Sequence, residues 1–338
     1  MSEPVFRLAA LGEDGRIADF INDHFDMRLP LINEPALYRH YYAGRGGIPQ
    51  FVLAEQDGRI LSVAGYILAS AAPHPDVWVS VWVAVKGHNG VGLELMSTMP
   101  GLLHARVVAC NNIRPATCNF YRFLGWKAER LPHYYRLAPR GGVYRLAKPL
   151  TTAIPPVHGD LALRKVPSAA ELVPLGMPQT PHTPAKDSWY LRRRYFHYPQ
   201  LLPTPWTYDV WAVQENETLA AYLVTRFVPA EATGVVPVLR IVDFIGPDEV
   251  LPRISTALDR LLRNCGAEYM DCYCAGIPAE VFAKAGFTER KAGDGAVIPN
   301  YLTPPLRENT EYYYFTSSPE NFVLFKADGD QDRPNLPG

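Results

Sequence analysis

The sequence predicts an α/β (α+β) protein of two tandem domains, each a mixed, mostly antiparallel sheet flanked by helices. Its 338 residues suit two domains of the usual size, roughly 100–200 residues each. The first half contains a hairpin, an apolar strand and a helix ending in glycine and an aromatic residue. The same series recurs in the second half at an offset of roughly 160 residues, as expected for a duplicated domain.

The first half opens with a predicted strand at residues 6–8 and an amphipathic helix at 15–26. Ile17, Phe20, Ile21 and Phe25 recur on one face of that helix. A short aromatic and basic helix at 37–42 follows. Two alternating segments, 51–55 and 60–67, flank an Asp-Gly turn and therefore predict a hairpin.

The next stretch predicts a strand, a glycine turn and a helix. The apolar run 77–85 passes directly into Lys86-Gly87-His88-Asn89-Gly90-Val91-Gly92. Glycines allow a sharp turn and let a ligand approach the main chain. The first amides of the following helix lack helical partners and favour an anion. The turn thus indicates a phosphate or pyrophosphate site, the alternative being a tight connection without ligand; His88 is expected to be exposed.

A second strand then leads through Asn111-Asn112 to a helix at 119–124, which ends at Gly125. Prolines and small residues mark 134–163 as the crossing between domains. We therefore predict a first domain at 1–148 and a second at 149–338.

The second half repeats the first, with one difference. It has a strand at 161–166, a helix at 189–196, a hairpin at 210–223, a strand at 239–244 and a helix ending at 281–287. After its long strand the chain continues as Gly246-Pro247-Asp248-Glu249, without a glycine cluster. This difference assigns the cofactor to the first domain.

Charge and composition exclude several classes of partner. With 33 basic and 34 acidic residues, the formal net charge is −1 and attraction to nucleic acid is not expected. The N-terminus lacks a secretory pattern, and the longest apolar run is far short of the roughly 20 residues that span a bilayer. A cytoplasmic protein without a membrane partner is predicted. Neither the cysteine spacing nor the acidic tail matches a metal site, so no metal is expected.

The order of elements, the glycine turn after the fourth strand and the later run Phe120-Tyr121-x-x-Leu124-Gly125-Trp126 resemble the GNAT superfamily of acyl-CoA-dependent acyltransferases. The resemblance implies that the turn binds the CoA pyrophosphate and that the splayed fourth strand bonds the pantetheine arm. Acetyl-CoA or another short acyl-CoA would be the co-substrate. The implied cofactor-binding residues are Val83, Val85, Gly87, His88, Asn89, Gly90, Val91, Gly92, Leu93 and Asn112.

Two departures from the family pattern are visible. Gly87 occupies the slot in which the family has Arg or Gln, and the spacing from Asn112 to Tyr121 is longer than usual. The first departure keeps open a noncatalytic GNAT-like protein that binds a metabolite.

A second resemblance covers nearly the whole chain. The paired halves, the motif Arg194-Tyr195-x-His197-x-Pro199 and the tail 327–335 are similar to two-domain N-acyltransferases acting on nucleotide-linked amino sugars of bacterial surface polysaccharides, including lipopolysaccharide. The resemblance implies a dTDP- or UDP-linked deoxy-aminosugar as acceptor, bound by the second domain with its acidic C-terminal tail. The implied substrate-binding residues are Arg194, Tyr195, His197, Asp330, Asp332 and Arg333. An amino acid or polyamine acceptor is the alternative, and the oligomeric state is open, a homodimer included.

Acyl transfer to an amine requires a path for the amine proton and a donor to the leaving thiolate. By resemblance Tyr121 is the candidate acid, with core packing as the alternative. His40 lies where the family often binds the acceptor, or simply covers the sheet. Asp243 interrupts an apolar strand, so its carboxylate must be paired or act on substrate. Arg240, three positions away, points to the opposite face and is not its expected partner.

Overall fold

The computed structural model describes residues 2–141, 143–201, 204–300 and 307–330, which form two compact units. The first unit comprises residues up to 129 together with 314–319. The second comprises 130–313 and the described residues from 320 on. The units therefore divide the chain earlier than the predicted boundary at 148/149, and the first unit recruits a C-terminal segment.

Fifteen strands are present in the described residues. The first six are β1 (Val5–Leu8), β2 (Phe51–Gln56), β3 (Arg59–Leu68), β4 (Val77–Ala84), β5 (Val108–Asn111) and β6 (Lys127–Arg130). The others are β7 (His133–Leu137), β8 (Leu163–Val166), β9 (Thr207–Glu215), β10 (Thr218–Val228), β11 (Val238–Ile245), β12 (Tyr269–Ala275), β13 (Thr288–Arg290), β14 (Tyr313–Thr316) and β15 (Leu324–Phe325).

Helices lie between these strands. Those before β6 are α1 (Asp14–His24), α2 (Pro30–Asn33), α3 (Pro35–Tyr42), α4 (Asn89–Leu103) and α5 (Cys118–Phe123). Those after β7 are α6 (Leu172–Leu175), α7 (Ser188–Leu191), α8 (Tyr198–Leu201), α9 (Ala230–Thr233), α10 (Val250–Arg253), α11 (Ser255–Asn264) and α12 (Ala279–Lys284), with a π-helical segment, Arg192–His197, joining α7 to α8.

The two sheets have the same order, which confirms the predicted duplication. The first runs β1-β2-β3-β4-β5-β14-β6 and the second, in the equivalent direction, β8-β9-β10-β11-β12-β7-β13. In each, the fourth and fifth strands are parallel, and the hairpin before them is antiparallel. The predicted fold class, two tandem units with mixed sheets and flanking helices, is confirmed.

The strand in the sixth position of each sheet comes from the other half of the chain. β7 follows the first six strands in the chain but lies between β12 and β13, whereas β14 lies between β5 and β6. The prediction that a connector starts at residue 134 is therefore wrong. All five residues of β7 are buried, although its sequence contains a histidine and an arginine.

Partners of the polar residues explain how β7 can be buried. Arg290 Nε donates to Nδ1 of His133, so the other ring nitrogen carries the proton and donates to Asp271 Oδ2 at 3.0 Å. Arg136 donates to Asp259 Oδ1 at 2.6 Å. Buried polar groups are tolerated when they are paired in this way. The pairing depends on residues distant in sequence.

Elsewhere, the spacing of apolar residues along the helices agrees with the side chains that are buried. Ile17, Phe20 and Ile21 of α1 are buried as predicted, while Phe25 follows the end of the helix. In the second unit, α11 buries Leu258 and Leu262 in the core that includes β11 and β12. Within the described part of the chain, none of the helices combines the length and apolarity that a bilayer crossing demands.

Candidate functional site

β4 and β5 separate soon after they begin. Their parallel pairing is restricted to Val77 with Val108 and Trp78 with Ala109, although β4 continues to Ala84. Beyond Trp78, the described residues form no further ladder between these two strands. Backbone groups of β4 that face the opening can therefore bond an extended ligand in the manner of an added strand.

A bulge in β4 lies where the two strands part. Opposite β3, Gly65 pairs with Val81 and Tyr66 with Val79, so Ser80 is the extra residue. A bulge bends its strand and increases the local twist. This bend explains why β4 leaves β5 at this position.

The glycine turn connects the free end of β4 to α4. Gly87 has φ +88°, and the amide of His88 donates to the carbonyl of Val85 at 3.0 Å. The first α4 hydrogen bond runs from Gly92 N–H to the carbonyl of His88. The amides of residues 89–91 precede that bond and have no helical acceptor. Since His88 is exposed, as predicted, this helix end is open to an anion.

Packing requires a glycine at one of the two positions in α4 but not at the other. A Cβ on Gly92 would lie 3.0 Å from the Cβ of Ala84 and 3.3 Å from the Trp82 ring, so this residue lets α4 pack against β4. A Cβ on Gly90 would meet no atom within 4 Å. No internal contact requires Gly90 to be glycine, so a larger side chain there would project into open space at the end of α4.

The other predicted cofactor residues lie at the end of β4, in the first turn of α4 and directly after β5. Val83 is buried, and the amide of Val85 is bonded to the carbonyl of Leu61 on β3. Val91 and Leu93 are half-buried, and the side chain of Asn89 lies outside the described residues. Asn112 is exposed with φ +63°, a conformation that asparagine tolerates better than most residues. Its predicted contact with CoA stays a prediction.

Tyr121 is packed as a core residue. It is 4% exposed, and its ring stacks on Phe315 of β14 with 4.0 Å between centroids. Trp126 and Trp82 lie 6.3 and 6.1 Å from it. Burial raises the pKa of the Tyr121 phenol above its ordinary value, so the phenol keeps its proton at neutral pH. This protonation state suits a donor, but the role itself stays a prediction.

His40 lies in α3, half-buried, with its ring 4.9 Å from and perpendicular to that of Tyr41. The same helix buries Leu37, Tyr41 and Tyr42. This helix therefore packs its apolar and aromatic side chains against the sheet. The predicted contact of His40 with the acceptor stays a prediction.

In the second unit, the equivalent opening is filled by the chain itself. β11 and β12 pair only from Leu239 with Met270 to Ile241 with Cys272. Beyond that point β15 pairs with β12. On the β7 side of β12, Cys274 N–H donates to the carbonyl of Pro132. On the other side, the carbonyl of Tyr273 accepts from Lys326 N–H. β15 therefore occupies the β11 side of β12, where the first unit is open.

Asp243 helps to hold this C-terminal segment. Lys186 Nζ lies 2.7 Å from Asp243 Oδ1 and 2.6 Å from Asp328 Oδ1. The hydroxyls of Tyr195 and Tyr190 donate to Asp243 Oδ2 and Asp328 Oδ1. Both carboxylates are fully buried. The arrangement favours structural pairing for Asp243 over a catalytic role, and Arg240 bonds Asp271 instead, as its predicted orientation requires.

The predicted substrate motif is mostly internal. Arg194 is 1% exposed, and its guanidinium lies 5.3, 4.9 and 5.3 Å from the ring centroids of Tyr195, Tyr198 and Tyr208. Tyr195 is also buried, whereas His197 is exposed. The side chain of Asp330 and the whole of Asp332 and Arg333 lie outside the described residues. Substrate binding by these six residues stays a prediction.

The two units also differ in the charge of the turn that follows the fourth strand. A cleft of about 440 Å³ at the end of β11 is lined by residues 179–182 and 247–249. Asp248 and Glu249 take the place of the glycine turn, and Asp248 Oδ1 lies 2.9 Å from His182 Nε2. Two carboxylates at this position would repel a pyrophosphate. Of the two turns, the one in the first unit suits an anionic cofactor.

Sequence reasoning missed two residues at the opening in the first unit, Ser80 and Tyr42. Their hydroxyl oxygens lie 2.8 Å apart. Ser80 is the single hydroxyl residue in the apolar run 77–85, a polar interruption that could have drawn notice. Lys186 was also missed, because nothing local to a proline-rich loop reveals its distant carboxylate partners.

The arrangement defines a fold in which a split parallel pair and a glycine turn create an anion-accepting groove. No protein-family model matches the sequence, and comparison with curated proteins finds no match. Solved structures are similar in fold.

A conserved protein of Enterococcus faecalis, described as a probable N-acyltransferase, matches with a TM-score of 0.50 at 10% identity, over 93% of this chain and 72% of its own. A GCN5-related N-acetyltransferase from Anabaena variabilis matches with 0.48 at 11% identity, over 93% and 72%. A tandem GNAT protein from the clavulanic acid biosynthesis pathway matches with 0.41 at 13% identity, over 93% and 98%. At these identities the likeness is one of fold.

Proposed function

We propose that the protein is an acyl-CoA-dependent N-acyltransferase whose co-substrate binds in the first unit. The observation that carries the proposal is the opening between β4 and β5, which leads to the glycine turn. In the second unit the equivalent opening contains β15 and ends at Asp248 and Glu249. The fold likeness to a protein described as a probable N-acyltransferase supports the same activity.

The chemistry follows from what the groove offers. Backbone amides at the start of α4 would bind the pyrophosphate, and the free edge of β4 would bond the pantetheine arm. These contacts hold the thioester while an unprotonated amine attacks its carbonyl carbon. As the C–S bond breaks, the attacking nitrogen releases one proton to water, and the thiolate takes a proton, for which Tyr121 is the candidate donor. Positioning of the two substrates supplies much of the acceleration.

For the acceptor, we propose the amino group of a nucleotide-linked deoxy-aminosugar. This finer proposal is supported by the sequence resemblance, while the contacts of Arg194 and Tyr195 are internal. An amino acid or polyamine is the competing acceptor class. A panel of dTDP- and UDP-amino sugars, amino acids and polyamines, assayed for release of free thiol from acetyl-CoA, separates these classes. Release with amino acids and none with amino sugars would refute the finer proposal alone.

Calorimetric titration with acetyl-CoA tests the co-substrate directly. We expect one molecule to bind per chain, because β15 closes the second opening. Two equivalent sites would contradict the assignment to the first unit. Absence of binding would favour a noncatalytic protein.

Gly90→Val tests the glycine turn without creating an internal clash, because the space around its Cβ position is open. We expect the Kd for acetyl-CoA to rise at least about tenfold, corresponding to about 1.4 kcal/mol. Gly101→Val is the matched control: it lies in the same helix, and its Cβ position is equally open. Equal affinities for the two variants would remove CoA from the turn.

A further inference from the structure

The bulge of β4 is held by two consecutive hydrogen bonds that begin on α3. Tyr42 Oη and Ser80 Oγ lie 2.8 Å apart, and Ser80 Oγ donates to the carbonyl of Gly65 at 3.1 Å. A serine hydroxyl has one proton, and here the carbonyl accepts it. The phenol of Tyr42 is therefore the donor to Ser80. The two bonds connect α3, the extra residue of β4 and the adjacent strand β3.

Packing fixes the phenol in this position. Tyr42 is 0% exposed, and its ring centroid lies 4.6 Å from that of Phe51. A Cβ on Gly65 would lie 2.7 Å from Phe51, 2.9 Å from Val81 and 3.0 Å from the Tyr42 ring. The missing Cβ of Gly65 thus provides the space that the Tyr42 ring occupies.

The location gives these hydroxyls a function. Ser80 follows closely on Trp78, the last residue of β4 paired with β5. It therefore lies at the inner end of the opening, and the glycine turn lies at the outer end. A co-substrate whose pyrophosphate is at the turn would extend along β4 towards this bulge.

The second unit has a bulge in the same place but different chemistry. Val242 is the extra residue between the pairs Val224–Asp243 and Thr225–Ile241. A tyrosine hydroxyl reaches this bulge too, but Tyr195 donates to Asp243 in the buried network that holds the C-terminal segment. Of the two bulged residues, Ser80 carries a hydroxyl and lies in the unit with the open groove, whereas Val242 carries none.

We propose that Tyr42 and Ser80 are positioning residues for acyl transfer, and that their hydroxyls fix the β4 backbone beside the thioester. The inference rests on the proposed function. It predicts a loss in kcat with little change in the KM for acyl-CoA, because the contacts at the glycine turn remain intact. If the two hydroxyls only stabilised the fold, their removal would lower the free energy of unfolding without a selective loss in kcat.

Three variants separate the hydroxyls from the packing. Tyr42→Phe keeps the ring and removes the donor, Ser80→Ala removes the acceptor, and Ser80→Thr retains a hydroxyl. We expect kcat to fall about tenfold in the first two, as loss of one positioning contact allows, and Ser80→Thr to retain most of it. Amide hydrogen exchange at residues 79–81 should become faster in the first two variants. Acetyl-CoA should slow that exchange in the wild type and do so less in Tyr42→Phe.

Tyr222→Phe is the matched control. Tyr222 is equally buried, and its hydroxyl donates to the carbonyl of Gly176 in the second unit. This variant should leave kcat and exchange at 79–81 unchanged. If the wild type binds acetyl-CoA but Tyr42→Phe matches it in exchange and protection, the inference is overturned while the proposed function stands. Failure of the wild type to bind acetyl-CoA would overturn both.

Discussion

Lys186→Met should destabilise the second unit strongly. The ammonium group lies between two carboxylates, 2.7 Å from Asp243 and 2.6 Å from Asp328, and the three side chains are 6%, 0% and 0% exposed. Methionine keeps much of the apolar stem but leaves two buried carboxylates facing each other. Breaking a buried ion pair by removing one partner costs about 3–5 kcal/mol. We expect a loss of that size in the free energy of unfolding.

The measurement is urea unfolding at pH 7, followed by tryptophan fluorescence and circular dichroism. Because the chain has two units, separate transitions should be fitted where they occur. Lys165→Met is the matched control, since Lys165 pairs with Asp209 at 2.6 Å but is 55% exposed. Its loss should cost less than about 1 kcal/mol.

A second substitution tests the cause. In Lys186→Met, changing Asp328→Asn removes one of the two facing charges and should recover about 1–3 kcal/mol. The amide of Phe325, which donates to Asp328 Oδ2, should exchange faster in Lys186→Met than in wild type. If Lys186→Met costs no more than Lys165→Met, the buried network does not hold the C-terminal segment.

Two further predictions concern pH and catalysis. Burial raises the pKa of Asp328 to about 6, above its ordinary 3.8, although Lys186 opposes the shift. The folded state therefore holds this proton more tightly than the unfolded state. The free energy of unfolding that this contributes is fully present below about pH 4 and is lost as pH rises through 6, by about 3 kcal/mol. Unfolding measurements at pH 4 and 7 should therefore show Asp328→Asn gaining on wild type at the higher pH, and a constant difference would contradict the shift. Tyr121→Phe, which keeps the stacking on Phe315, should lower kcat by about 10²-fold in the thiol-release assay if the phenol is the proton donor; unchanged kcat would leave it a packing residue.

Much of the fold could be predicted because its signals are local. The alternating hairpin around Asp57-Gly58 and the strand that runs into the glycine turn each follow from a short window of residues. The similarity between halves then predicted two sheets of the same order. The strand exchange was missed because β7 looks polar, and His133 and Arg136 become suitable for burial only through Asp271 and Asp259.

The candidate site shows the same division. The sequence by itself determined that a glycine turn follows the fourth strand in one half and that acidic residues follow it in the other. The tertiary structure decided which groove is open: β15 pairs with β12, and Lys186 joins Asp243 to Asp328 across long sequence separations. Such pairings depend on which backbone edges and buried charges meet in three dimensions, and a local pattern of residue types does not contain that information.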